Sequence, residues 1–441
     1  MSSKGCLDPA GSQETPRSPF TYRMPAIPDR SIMSVPSPVL VERIVPKRNS
    51  AKGKPKKPIS VLLLINSLGW GGAETMLYRL LSKMDRRRFS PQAVTLIDVH
   101  PPLIADKIRA LGIPVRSLGM RPGGIPSPTA LLRLIRWLRQ EPPDVIQTWQ
   151  YYSDLAGAVA ARLAGNIPVA WGIHHTTLNN QEYKRRTILT AAMCARLSRW
   201  LPQRIVCCSE ASREVHAALG YAADKMVVIP NGYDLELFKP DPTARRLVRN
   251  ELEIPDDTPV IGLVSRFNPQ KDHRNFFKAA GLLNRDRPDV HYLLCGYGVT
   301  WENKDLLNMI EEAGITNRCR LLGLRDDMHR LTAAFDIASL SSCSGEAFPN
   351  VVSEAMSCGV PCVVTDVGDA ALIVGQTGIV VPPRNPDALA AAWRKMLDLG
   401  QEGRTHLGMV ARQQIADRFS LAVIVDRYEH LFEELSRRAR V

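Results

Sequence analysis

From Ile59 onward the chain alternates between two kinds of apolar pattern. Short runs rich in Val, Ile and Leu, such as Ile59–Ile65 and Val260–Ser265, are followed by longer stretches in which apolar residues return every three or four positions. The first kind suits strands buried on both faces and the second suits amphipathic helices laid over them. The repeat therefore predicts parallel sheets with crossover helices. Seven strand segments fall in the first half: Ile59–Ile65, Ala93–Ile97, Val115–Leu118, Val145–Thr148, Pro168–Ile173, Ile205–Cys208 and Met226–Ile229. Six follow in the second: Val260–Ser265, Val290–Cys295, Arg320–Leu322, Ile337–Ser341, Cys362–Thr365 and Ile379–Val381. A polar, proline-containing stretch from Tyr233 to Pro259 separates them. The expected class is α/β, with two Rossmann-like, doubly wound domains over residues 59–235 and 236–418 facing each other across a cleft. Ligands of such sheets bind at the carboxyl ends of the strands. A last helix, Leu421 to Arg438 within residues 419–441, carries Val423, Tyr428, Leu431, Phe432 and Leu435 on one stripe. That stripe needs a partner surface, and the first domain is the expected one.

Residues 1–58 break the pattern. They hold ten of the 33 prolines and eleven Lys/Arg against four Asp/Glu, so seven of the thirteen net positive charges sit there. Few large apolar residues accompany them, and a segment of this kind buries too little surface to offset its ordering entropy; a disordered basic tail is expected. Its cluster from Arg43 to Lys57 suits either contact with anionic lipid or plain solubility. Apolar runs such as Val61–Ile65 fall far short of the roughly 20 residues that span a bilayer. No charged-then-apolar leader opens the chain, so the expected location is cytoplasmic, with peripheral contact at the inner face of the membrane. The chain as a whole, with 45% hydrophobic and 23% charged residues, has the balance of an ordinary globular protein. Nine scattered cysteines without a Cys-x-x-Cys pair read as reduced thiols. Cys358 and Cys362 flank Gly-Val-Pro, a helix-to-strand turn rather than a metal pair.

The densest chemistry lies between Ser341 and Asp366, which reads Ser-Ser-Cys-Ser-Gly-Glu-Ala-Phe-Pro-Asn-Val-Val-Ser-Glu-Ala-Met-Ser-Cys-Gly-Val-Pro-Cys-Val-Val-Thr-Asp. A strand ends near Ser341, a polar loop carries Glu346, and Pro349 suits the first position of a helix. Gly359 and Pro361 end that helix after Cys358. The open helix start across Phe348, Pro349, Asn350 and Val351 forms an anion site suited to a diphosphate. Glu346 precedes it and Glu354 lies about a turn into the helix, so one carboxylate can face a sugar and the other a ribose diol. The spacing of the two glutamates alone says little; the residues around them say more.

With Gly345 before, Phe-Pro-Asn inside and Glu-Ala-Met-x-Cys-Gly-Val-Pro after, the stretch resembles the donor-site signature of retaining glycosyltransferases of the GT-B fold, family 4 (glycosyl transferases group 1). Weaker agreement runs from Ile59 to the last helix. The resemblance implies transfer of a sugar from a nucleotide-diphosphate donor, a UDP- rather than a GDP-sugar, to a hydroxyl of a glycan or lipid-linked acceptor. Cell-surface polysaccharide biosynthesis is the implied setting, with no metal or other cofactor and no nucleic-acid partner. Glu346 becomes the carboxylate nearest the transferred sugar and Glu354 the ribose ligand. Ser265-Arg-Phe-Asn-Pro-Gln-Lys271 is similar to the segment that carries the family's Arg and Lys, which makes Arg266 and Lys271 the cations for the leaving diphosphate. Asn66 to Glu74 matches the glycine loop, with Gly71 and Gly72 closing over the diphosphate. Trp171-Gly-Ile-His-His-Thr176 supplies the active-site histidine, His174 being the better match and His175 the second. Ile229-Pro-Asn-Gly-Tyr-Asp234 resembles the hinge segment, and Leu322 to Asp326 the loop that meets the base through backbone groups.

Two other readings fit parts of the chain: an epimerase or hydrolase acting on a nucleotide sugar with this same fold, and a basic membrane or nucleic-acid adaptor suggested by the tail. For the acceptor side, Arg133, Arg136 and Arg139 stand beside Leu131, Leu132, Ile135, Trp137 and Leu138, a basic amphipathic helix that suits either a membrane surface or an edge of the first domain.

Overall fold

The computed structural model describes residues 57–69, 71–120, 127–176 and 184–438. Expectations for the tail up to residue 56 lie outside these residues. The first domain holds strands β1 (Ile59–Ile65), β2 (Phe89–Ile97), β3 (Val115–Met120), β4 (Val145–Trp149), β5 (Val169–Ile173), β6 (Arg204–Cys207) and β7 (Met226–Val228). The second holds β8 (Val260–Val264), β9 (His291–Cys295), β10 (Cys319–Leu321), β11 (Ile337–Leu340), β12 (Cys362–Thr365) and β13 (Gly378–Val381). All pairings are parallel. The sheet orders are β3-β2-β1-β4-β5-β6-β7 and β10-β9-β8-β11-β12-β13. Each order turns back at its first strand, which opens a crevice at the carboxyl ends of β1 and β4 in one domain and of β8 and β11 in the other. Strand β2 starts at Phe89 rather than Ala93. Its first residues alternate between buried Phe89 and Pro91 and solvent-facing Ser90, a half-covered pattern that a search for continuous apolar runs passes over.

Successive residues of β1 feed two cores. Val61, Leu63 and Ile65 meet Leu77, Leu80 and Leu81 of the helix Gly72–Lys83. Leu62 and Leu64 meet Leu134 and Leu138 of the helix Pro128–Gln140. The second sheet is likewise covered on both faces. The final helix, Leu421–Arg438, joins the core of the first domain through Leu421, Ile424, Val425, Tyr428, Leu431, Phe432 and Leu435. Each such burial contributes about 1.5–3 kcal/mol. Charge holds the same helix from outside: Arg88 bonds Glu429 and Glu433, both at 2.6 Å, and Arg204 bonds Glu434 at 2.6 Å. The preceding helix, Gly400–Phe419, packs Ala411, Ile415 and Phe419 into the second domain. Between the two stands Ser420, which pairs with Tyr233 where the chain first crosses between the domains.

The helix Pro128–Gln140 departs from its membrane reading. Its apolar stripe of Ala130, Leu134, Ile135 and Leu138 is buried against the sheet. Arg133 donates to the Leu118 carbonyl at 3.1 Å and Arg139 to the Leu163 carbonyl at 2.9 Å. An apolar face already spent on its own domain is not available to lipid.

One buried carboxyl sits under the first crevice. Asp154 Oδ1 accepts from Thr148 Oγ1 at 2.6 Å and from the Gly172 amide at 3.2 Å, while Oδ2 has no partner among the described residues. Burial pushes this carboxyl up to about 8. An unfolded carboxyl titrates near 4, so between about pH 4 and about pH 8 the folded state binds more protons and stability falls as pH rises. The urea midpoint of the natural protein should decline across that window, and Asp154→Asn should flatten the decline. Equal slopes in both proteins would remove Asp154 as its source.

Candidate active site

At the second crevice, strand β8 gives way to Ser265 and Arg266, then to a short turn, Pro269–Lys271, capped by Asn268 through the Gln270 amide at 2.9 Å. The loop after β11 is stitched to this turn: Ser341 Oγ donates to the Lys271 carbonyl at 2.7 Å and the Cys343 amide to the Gln270 carbonyl at 2.8 Å. Gly345 makes the close pass possible. Its φ of +76° lies in the left-handed region, and a Cβ there would stand 2.7 Å from the Gln270 side chain. The stitching brings Lys271 Nζ into an ion pair with Glu346 Oε1, which also accepts from Ser342 Oγ at 2.7 Å. Arg266 is exposed and forms no ion pair with a described residue. Lys271 and the first glutamate thus pair at this strand-end crevice, with Arg266 in the loop that leaves β8.

The helix after this loop runs Asn350–Ser357, with Pro349 as its cap in extended backbone (ψ 101°), one residue later than expected. The Phe348 side chain is a core ring: it is 5% exposed, 6.4 Å from the Tyr233 ring and 5.2 Å from the Phe419 ring. Its apolar ring closes the domain beneath the helix start. Val351 also packs on the second core, half-buried. Asn350 reaches back to the hinge, its Oδ1 accepting from Asn231 Nδ2 at 2.9 Å and the Tyr233 hydroxyl at 2.6 Å. A Cβ on Gly72 would lie 3.2 Å from Asn350 Nδ2, so the first-domain glycine loop rests against this helix start. Gly71 is in extended backbone, and the Glu74 carboxylate folds over it. Burial raises the pKa of Glu74 above the usual carboxylate range.

Glu354 is engaged across the cleft. Its Oε1 accepts from Arg79 Nη2 at 2.7 Å, and Arg79 belongs to the first-domain helix Gly72–Lys83. The guanidinium also lies 5.4 Å from the Tyr233 ring and 5.8 Å from the Phe238 ring. Sequence reasoning missed Arg79, because one arginine on an amphipathic helix carries no mark of a partner 275 positions away. Asp369 was missed for the same reason. Its carboxylate accepts from the Glu210 amide at 2.8 Å and the Ala211 amide at 2.9 Å, at the start of the first-domain helix Glu210–Ala218. Its own amide donates to the Ala347 carbonyl at 3.0 Å, which ties the Glu346 loop to that helix. Gly368 beside it has φ +55°, with a would-be Cβ 2.3 Å from the Glu346 carbonyl.

The first crevice presents the histidines. His174 follows β5, and its ring stacks on Trp149 at 4.5 Å and 7°. Trp149 stacks in turn on Tyr428 of the final helix at 6.1 Å. His174 Nε2 is buried without a hydrogen-bond partner among the described residues. Burial lowers its pKa to about 3, so the imidazole is neutral at neutral pH. His175 is lowered to about 4 by the same cause, and its carbonyl accepts from Ser212 Oγ at 2.8 Å. Thr176 Oγ1 crosses the cleft to the Glu346 carbonyl at 2.8 Å, which sets the His174 strand end against the Glu346 loop. The cleft therefore gathers the Lys271–Glu346 pair, a helix start and a neutral imidazole whose buried Nε2 has no hydrogen-bond partner among the described residues. Among the described residues no cluster of three or more His, Cys, Asp or Glu has metal-binding geometry.

Known proteins resemble both halves. Residues 70–237 match the family described as Glycosyltransferase Family 4, and residues 244–414 match Glycosyl transferases group 1. The UDP-Gal:alpha-D-GlcNAc-diphosphoundecaprenol alpha-1,3-galactosyltransferase of Escherichia coli is 26% identical over 343 residues, 75% of this chain and 85% of that protein. The putative glycosyltransferase EpsF of Bacillus subtilis (strain 168) is 28% identical over 316 residues, covering 69% and 79%. Among solved structures, Anabaena Alr3699/HepE in complex with UDP-glucose superposes with a TM-score of 0.73 at 24% identity, covering 85% of this chain and all of that one.

The Arg79–Glu354 pair is mostly buried, with 13% and 17% of the side chains exposed. Glu354→Ala strands the guanidinium and should cost about 1–3 kcal/mol in urea unfolding. The double variant Arg79→Met, Glu354→Met should recover most of that loss. A double variant as weak as the single one would show that the two side chains are not coupled.

Proposed function

The chain belongs to the family 4 glycosyltransferases of the GT-B fold, and on that premise we propose that it moves a sugar from a UDP-sugar, with retention of anomeric configuration, to a hydroxyl of a lipid-linked or glycan acceptor. The observation that carries this reading is the pairing of Lys271 with Glu346 at the β8/β11 crevice, opposite the His174 strand end and beside the loop that bears Arg266. The printed names favour a UDP-sugar, since the Escherichia coli relative uses UDP-Gal and the Anabaena structure holds UDP-glucose. The same relative acts on a diphosphoundecaprenol-linked sugar, which favours a lipid-linked acceptor and peripheral contact with an anionic membrane. Among the described residues no helix is long and apolar enough to cross a membrane.

In this reading the diphosphate lies at the helix start by Asn350 and Val351, with Gly71 and Gly72 over it. Arg266 and Lys271 meet the charge that grows as the bond from the anomeric carbon to the diphosphate breaks. The acceptor hydroxyl attacks the same face, and its proton passes to the departing phosphate oxygen. Glu346, relieved of Lys271, accepts from a sugar hydroxyl, while Glu354 exchanges Arg79 for the ribose diol. His174 stays uncharged and offers its free nitrogen to the sugar; a neutral imidazole adds no positive charge to repel a developing oxocarbenium ion. With two cations and the helix amides serving the diphosphate, the transfer is proposed to need no metal.

The test is a panel of UDP- and GDP-sugars scored by nucleotide release and product. Lys271→Ala should lower turnover by about a hundredfold or more, and His174→Ala should lower it too. A chelator should leave the rate unchanged. A fully active Lys271→Ala would remove the diphosphate assignment, and an epimerised sugar from donor alone would replace transfer with isomerisation.

A further inference from the structure

The helix Arg185–Leu197 and the turn after it carry a second surface that the cleft does not use. On the inner side, Ala191, Cys194 and Ala195 are buried in the first-domain core. On the outer side Arg185, Leu189, Ala192, Met193, Arg196 and Trp200 are all exposed, at the spacing of one helical stripe. Trp200 is 72% exposed, Leu189 65% and Met193 44%. Single exposed apolar residues are ordinary, but three large ones along one stripe mark a contact surface.

Charge decides the partner. From Lys184 to Gln203 the chain has Lys184, Arg185, Arg186, Arg196 and Arg199 and no Asp or Glu. None of these five forms an ion pair with a described residue. Large apolar side chains flanked by cations that have no ion pair among the described residues complement a surface that is anionic outside and apolar just beneath. A phosphodiester backbone satisfies the arginines and leaves Leu189, Met193 and Trp200 without partners. An anionic bilayer satisfies both sets: the indole sits at the headgroup level, Leu189 and Met193 reach the acyl boundary, and the arginines meet lipid phosphates.

We propose that the exposed face of the helix Arg185–Leu197, with Trp200, is the surface by which this enzyme lies on an anionic membrane. The proposal deepens the lipid-linked reading of the acceptor, yet it is tested by binding rather than by turnover, so either can fail alone. Full-length protein is sedimented with phosphatidylcholine vesicles, with and without phosphatidylglycerol. Binding is expected only with phosphatidylglycerol, and it should weaken as salt is added. The triple variant Leu189→Ser, Met193→Ser, Trp200→Ser should bind about tenfold more weakly, with nucleotide release from donor alone unchanged as a check on folding. Brominated lipid should quench tryptophan emission in the natural protein and not in Trp200→Phe. Undiminished binding by the triple variant would assign membrane contact to another part of the chain and overturn the proposal. Absence of binding to either vesicle, or equal binding to both, would overturn it as well.

Discussion

A single residue, Ser420, separates a helix buried in the second domain from a helix buried in the first, and the cleft depends on that crossing. The final helix contributes seven large apolar side chains to a core whose first strand, Ile59–Ile65, lies more than 350 positions earlier. Because the chain crosses at Tyr233 and returns at Ser420, the two domains are held at adjacent points and their strand-end crevices are opposed. Tyr233 shows how closely the crossing and the site are joined. Its backbone pairs with Phe419 and Leu421, its hydroxyl holds Asn350 at the helix start, and its ring stacks beside Phe348 and under Arg79.

Charge within the cleft follows one pattern. Lys271 and Glu346 neutralise each other inside the second domain, and Arg79 and Glu354 do so across the gap. Mostly buried pairs of this kind make loss of one partner costly, because the survivor is left short of water. In the proposed reaction each pair opens for a donor that brings its own charge and hydroxyls. Arg266 is exposed and without an ion pair among the described residues, and in the proposed reaction it attracts the anion before any pair has to open. Asp369 works differently: buried at the interface, it takes the first two amides of a helix in the opposite domain and fixes the Glu346 loop against it.

Two helices of the first domain look alike in sequence and are used in opposite ways. Pro128–Gln140 and Arg185–Leu197 both mix arginine with leucine at helical spacing. The first turns Leu134 and Leu138 to the sheet and spends two arginines on carbonyls of its own domain. The second leaves Leu189 and Met193 outward, because the small residues Ala191, Cys194 and Ala195 make the inner contact.

The sequence by itself determined the alternation of strands and helices, because continuous Val, Ile and Leu runs have no stable place except a sheet covered on both sides. It also marked the loops that carry Arg266, Lys271, Glu346 and His174, since glycine and proline at those turns announce where strands end. Where it failed, the cause was distance or facing. Phe348 was legible as part of a motif but not as a core ring, because its partners Tyr233 and Phe419 lie far away in the chain. Arg79 and Asp369 carry no local signal at all, and only the opposed domains give them partners. Periodicity tells that a helix has two faces; only the packed structure decides which face meets the core, because that choice rests on what the neighbouring elements leave uncovered.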